Sequence, residues 1–67
     1  MSVAKVIEIS AQSPESFDDA VKVGVQRAAH TVDNIQSAWV KEFQAEVEGD
    51  RVVAYRVNMK VTFLLKE

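Results

Sequence analysis

Apolar and polar residues alternate at the start of the chain, with Val3, Lys5, Ile7 and Ile9 on one side and Ala4, Val6 and Glu8 on the other. A period of two over a β-branched run predicts a strand, here residues 3–9, ending at the polar stretch 10–13. The period then lengthens. Phe17, Ala20, Val21, Gly24, Val25, Ala28 and Val32 follow the spacing of one helical face. The inner members of that stripe, Ala20, Gly24 and Ala28, are small and suit close packing on a sheet. Ser13-Pro14-Glu15 reads as the helix start. The Ser13 hydroxyl can accept a first-turn N–H, and Pro14 at the first helical position loses nothing by lacking one. Glu15, Asp18 and Asp19 put negative charge near the positive end of the helix dipole. The helix is expected to end near Val32-Asp33-Asn34, where short polar side chains compete for backbone bonds.

Alternation returns over residues 35–48. Trp39, Phe43, Ala45 and Val47 take odd positions there, and Glu42, Gln44, Glu46 and Glu48 take even ones. It is cleaner over 55–65, where Tyr55, Val57, Met59, Val61, Phe63 and Leu65 oppose Arg56, Asn58, Lys60 and Thr62. Both segments read as long half-buried strands joined through Gly49-Asp50 as an antiparallel hairpin. Strict alternation pairs odd positions with odd. A five-residue loop sets Glu46 opposite Arg56, Gln44 opposite Asn58 and Glu42 opposite Lys60. A three-residue loop sets Glu42 against Asn58 and Gln44 against Arg56. Opposite-charge pairs are worth about 0.2–1 kcal/mol each, which favours the longer loop, although Val52 and Val53 suit a strand. Strict alternation also puts Trp39 in phase with Phe43. Lys41 then falls on the otherwise apolar face, where its stem snorkels to the edge or meets a neighbouring subunit. The expected architecture is a single α+β domain over residues 1–67. It is β-α-β-β, a three-stranded antiparallel sheet with one helix packed on its apolar face.

Composition adds a constraint on how such a domain is stabilised. At 67 residues the core is small, and short scaffolds usually add disulfides, a structural metal or oligomerisation. Cysteine is absent and His30 is the single histidine, which leaves oligomerisation. The two long strands are expected to end in exposed edges, and exposed edges invite pairing with another chain. The net charge of −2, with acids and bases interspersed, argues against a nucleic-acid partner. No apolar run approaches the roughly 20 residues of a membrane span. Residues 1–8 lack the apolar core of a signal peptide, so a cytoplasmic protein is expected. There is no nucleophile-base-acid set, no phosphate-binding glycine loop and no carboxylate pair in an apolar setting, so an enzyme is not expected.

The order of strand, Ser13-Pro14-Glu15-Ser16-Phe17 helix start, Val32-Asp33-Asn34-Ile35, long strand, Tyr55-Arg56-Val57 and Val61-Thr62-Phe63 resembles the dodecin family over nearly the whole chain. The resemblance implies a helix on a curved antiparallel sheet and a hollow homododecamer. It also implies flavins bound as stacked pairs near two-fold axes, held between tryptophans and hydrogen-bonded by a glutamine, for storage rather than catalysis. Both flavin contacts differ here. Ser37 stands where the stacking tryptophan is expected, and Arg56 follows Tyr55 where the glutamine is expected. Trp39 lies two residues further on, which keeps strand parity but displaces a side chain by about 7 Å. This combination is similar to the divergent calcium dodecin branch, for which the resemblance implies calcium in place of flavin.

The expected function is therefore a non-catalytic homododecameric shell for binding or storage, with calcium or another cation as ligand. A flavin-binding alternative (FMN or riboflavin) would use Ser37, Trp39, Gln44 and Arg56 in a rebuilt pocket. A structural assembly without a small ligand is the third reading. For a cation the candidates are Glu42 and Glu46, in a row with Glu48 and Asp50. Calcium takes about six to eight oxygens, so symmetry-related rows would have to meet. The other reading of the row is a solvated charged face. Arg56 is either an anion ligand or a cross-strand partner of Glu46 or Gln44. Trp39 by its phase is core or interface, or else a stacking platform. Asp33 and Asn34 read as a helix end, and His30, late in the helix, suits the negative dipole end.

Overall fold

The computed structural model describes residues 2–66, so Met1 and Glu67 of the expected domain lie outside the described residues. Four elements follow in order: β1 (Ala4–Ser13), α1 (Phe17–Ala28), β2 (Ile35–Glu48) and β3 (Arg51–Leu64). The strands form one antiparallel sheet in the order β1-β3-β2. This is the expected β-α-β-β architecture, with one difference in its edges. The long strand β3 is central and paired on both sides, so the free edges belong to β1 and β2. Val57, Met59, Val61 and Phe63 of β3 are buried under the helix, and Ala20 meets Val57 and Met59 at the centre of the core.

The first strand runs through Ser13, past the expected stop, because alternation survives in polar guise. Ser10, Ala11, Gln12 and Ser13 sit opposite Asn58, Val57, Arg56 and Tyr55, so β3 supplies their backbone partners. Ser13 ends the strand and does not cap the helix. Pro14 disfavours helical backbone at the residue before it, and Ser13 is buried with its hydroxyl donating to Asp19 Oδ2 at 2.6 Å. The cap is Ser16, in extended conformation, whose Oγ accepts the Asp19 N–H at 3.0 Å. The helix also stops before the expected end. The Ala28 carbonyl accepts the N–H groups of Thr31 and Val32 at 3.0 Å and the Thr31 hydroxyl at 3.1 Å, which closes the last turn. Val32 therefore lies beyond the helix, and His30 is exposed in the turn that follows it. Asn34 adopts a left-handed φ of 63°, which an asparagine tolerates, and its carbonyl accepts the Leu64 N–H at 3.1 Å.

Helix and sheet approach most closely at Gly24. A Cβ there would lie 2.6 Å from Met59 Cε and 2.9 Å from the Ala11 Cβ, so only glycine fits without displacement. Phe17, at the start of the helix, packs edge-on against Phe43 and Tyr55, with ring centroids 5.1 and 5.0 Å away.

The hairpin register departs from the expected longer loop. Glu48 faces Arg51 across a Gly49-Asp50 turn, with Gly49 at φ 64°. Val52 and Val53 are in the strand, and an irregularity beside Val53 shifts the pairing. From there Glu46 faces Ala54, Gln44 faces Arg56 and Glu42 faces Asn58. A second irregularity, between the Val40 and Glu42 pairs, inserts Lys41 as an extra residue in β2. An inserted residue reverses which face every later side chain takes. Val40 and Ala38 thus pack against the core, opposite Met59 and Val61. Trp39 faces Lys60 on the side away from the helix, 66% exposed. Trp39 is consequently out of phase with Phe43 and is not a core residue of this chain. Lys41 likewise leaves the apolar face and bridges to Glu8 of β1.

The domain is long and thin, 51 × 19 × 14 Å. β1 ends opposite Tyr55, so the tip of the β2-β3 hairpin extends past β1 with only its own two strands. No helix among the described residues is long and apolar enough to cross a membrane.

Candidate functional site

The sheet face away from the helix carries the chemistry. Its residues come from the positions that alternate with the core on all three strands. Arg56 of β3 sits between Gln12 of β1 and Gln44 of β2. Its guanidinium donates from Nη2 to Gln12 Oε1 at 2.6 Å, from Nη1 to Ser10 Oγ at 3.1 Å and from Nε to Glu46 Oε1 at 3.4 Å. The Glu46–Arg56 ion pair anticipated for a five-residue loop thus forms, but as a diagonal contact in a different register. Gln44 donates from Nε2 to Glu46 Oε2 at 3.4 Å, so both oxygens of Glu46 are engaged. One step along the sheet, Asn58 donates to Glu42 Oε1 at 3.1 Å.

A second group lies two pairs further along. Lys60 Nζ stands 5.5 Å from the Trp39 ring centroid, a cation–π arrangement. Glu8 faces Lys60 from β1 and accepts from Lys41 Nζ at 3.2 Å. Ser37 is exposed opposite Thr62.

All six candidates, Ser37, Trp39, Glu42, Gln44, Glu46 and Arg56, therefore share one face. They do so only because of the extra residue at Lys41. With strict alternation Ser37 and Trp39 would oppose the glutamates. They do not form one pocket within a chain. Lys60 lies four positions beyond Arg56 on β3, about 13 Å along the strand, so Trp39 stands well away from the Arg56 cluster. Among the described residues, no three His, Asp or Glu side chains are close enough together to hold a metal ion. Asp33, read as a helix end, pairs with Lys66 at 3.1 Å on the exposed surface.

Ser10 and Gln12 belong to the network but were not singled out from the sequence, whereas Asn58 was in view as the partner of Glu42 in the shorter-loop register. The polar stretch 10–13 resembled a loop, whereas its Ser-Ala-Gln-Ser order continues the period of two.

The fold and this face define a small α+β protein with a polar, multiply bonded sheet surface and open edges. A family model described as Dodecin matches residues 3–66, and the chain belongs to the dodecin family. Dodecins are non-catalytic proteins that assemble as homo-oligomers. Calcium dodecin of Mycobacterium tuberculosis is 39% identical over 66 residues, covering 98% of this chain and 93% of that protein. A crystal structure of calcium dodecin from the same organism, described as having a novel calcium-binding site, superposes with a TM-score of 0.84 at 38% identity. That match covers 97% of this chain and 93% of the other. Dodecin from Streptomyces davaonensis superposes with a TM-score of 0.94 at 32% identity, covering 98% and 97% of the two chains. The family and the calcium dodecin branch both agree with the resemblance read from the sequence.

Proposed function

We propose that this protein is a cytoplasmic, homododecameric shell that binds and stores calcium or a related cation, without catalysis and without flavin. The observation that carries the reading is the state of Arg56. It occupies the position where the resemblance puts the flavin-bonding glutamine, and its guanidinium is already bonded to Ser10, Gln12 and Glu46. A guanidinium also offers no acceptor, whereas a glutamine amide offers both donor and acceptor. The likeness to calcium dodecin supports a cation over flavin.

The donor chemistry suits a hard cation, since carboxylate and amide oxygens of Glu42, Glu46 and Gln44 lie on one exposed face. One chain brings too few of them together for the roughly six to eight ligands of calcium. The reading therefore puts the ion where glutamate rows of several subunits meet, with Glu42 and Glu46 as the ligands named from this chain. Calcium bound there would neutralise facing carboxylates and join the subunits that supply them.

Calorimetric titration of the assembled protein with calcium tests this. Binding is expected, weakened about tenfold or more (about 1.4 kcal/mol) by Glu42→Gln or Glu46→Gln. A null titration would remove the cation. Tight quenching of riboflavin fluorescence by the protein would restore the flavin alternative, with Trp39 as its platform.

A further inference from the structure

Two carboxylates on the sheet face away from the helix have different partners. Glu42 accepts from the neutral amide of Asn58 at 3.1 Å, and among the described residues it pairs with no cation. Glu46 accepts from Gln44 and from a charged group, the Arg56 guanidinium, at 3.4 Å each. A positive charge thus already stands where a cation taken by Glu46 would have to come.

Glu46 is not what holds the guanidinium in place. The shorter bonds of Arg56 run the other way, to Gln12 at 2.6 Å and Ser10 at 3.1 Å on β1. Its contact with Glu46 is the longest of the three, and both side chains are 36% exposed, so water screens the pair. Glu46 can therefore turn to another cation while β1 keeps Arg56 where it is. The guanidinium is a single positive charge on a tether.

We propose that Arg56 determines cation specificity: it keeps monovalent ions from Glu46 and yields the carboxylate to a divalent ion. This rests on the reading of Glu46 as a cation ligand and deepens it by naming what selects the ion. The reason is charge. A potassium or sodium ion brings no more charge than the guanidinium it must displace, and it must first shed water. A divalent ion has twice the Coulomb attraction for the carboxylate at equal distance. It is also repelled by the retained guanidinium, so selection is obtained with weaker divalent binding than the bare carboxylate would give.

Two substitutions separate this role from bracing of the sheet. Arg56→Met removes the charge and keeps most of the stem. Gln12→Leu keeps the charge but removes its shortest tether, which frees Arg56 to close on Glu46. Calcium binding to the assembled parent and variants is measured by calorimetry in choline chloride and in potassium chloride of equal ionic strength. Circular dichroism and light scattering check that spectrum and mass are native. Arg56→Met is expected to bind calcium about fivefold more tightly, the worth of one half-exposed ion pair. Gln12→Leu is expected to bind it more weakly than the parent. Replacing choline by potassium should weaken calcium binding to Arg56→Met and leave that of the parent unchanged.

If both variants bind calcium more weakly than the parent, Arg56 only braces the sheet; the selection is wrong and the cation reading stands. An equal response of parent and Arg56→Met to potassium overturns the selection in the same way. Should Arg56→Met fail to assemble, Gln12→Leu decides, and calcium binding as tight as the parent's or tighter counts against the inference. Absence of calcium binding in parent and variants alike would remove the cation reading and the selection together.

Discussion

Arg56 illustrates how much depends on one side chain in a domain of this size. Its three bonds tie Ser10 and Gln12 of β1 and Glu46 of β2 to the central strand. Bonds to a charged group are worth about 1.5–3 kcal/mol each when buried, and half-exposed ones considerably less. Arg56→Ala is expected to destabilise the fold by roughly 1–2 kcal/mol, read as a lower urea midpoint at fixed protein concentration. Arg56→Lys should recover little, since an ammonium cannot reproduce a planar fork reaching three acceptors. An unchanged midpoint for Arg56→Ala would mean the cluster is decorative. From sequence, Arg56 was legible as the residue that breaks the flavin pattern, and both of its candidate partners, Glu46 and Gln44, were in view. Ser10 and Gln12 were not, because a partner on a strand 44 or 46 positions away leaves no local mark.

Element boundaries follow from which backbone groups find partners. Ser16 caps α1 through the Asp19 N–H, and Ser16→Ala is expected to cost about 1 kcal/mol of stability in thermal or chemical unfolding. Ser13 precedes a proline and is held in the strand, which is why the earlier of two serines could not serve as cap. Lys41 matters more than its exposed position suggests, because it is the extra residue that puts Ala38 and Val40 in phase with the core. Deleting it would join Val40 to Glu42 in regular alternation, with Ala38 and Val40 still on the core face and Trp39 still on the outer face. Cooperative thermal unfolding by circular dichroism is therefore expected to survive the deletion. Loss of the cooperative transition would show that the irregularity itself is needed to fit β2 to β3. Sequence alternation identified β2 as a strand and located its polar and apolar runs. It could not reveal the irregularity, since an inserted residue is defined only against the partner strand.

At the scale of the molecule, a 51 Å domain only 14 Å thick cannot enclose its own apolar surface. Val47, Val52, Val53, Phe43 and Trp39 all remain exposed on one chain. The two free edges and the overhanging hairpin require partners, and an assembly that supplies them makes folding depend on concentration. The melting temperature is expected to rise with protein concentration over a range of about a hundredfold, as linkage to association demands. Scanning calorimetry alongside light scattering checks this. A constant melting temperature with a monomeric mass would contradict the shell.

What the sequence determined by itself was the set of elements and their chemical sides. Its hydrophobic periods specified strand, helix, strand and strand, the small residues of α1 and the buried face of β3, because those periods express how each element meets one core. The order of motifs was sufficient to identify the family. Tertiary structure alone decided the register of the hairpin, the face on which Trp39 stands, and the gathering of Ser10, Gln12, Glu46 and Arg56 into one cluster. Each of those depends on pairing between strands distant in the chain, where a one-residue insertion costs little locally and reverses every side chain beyond it.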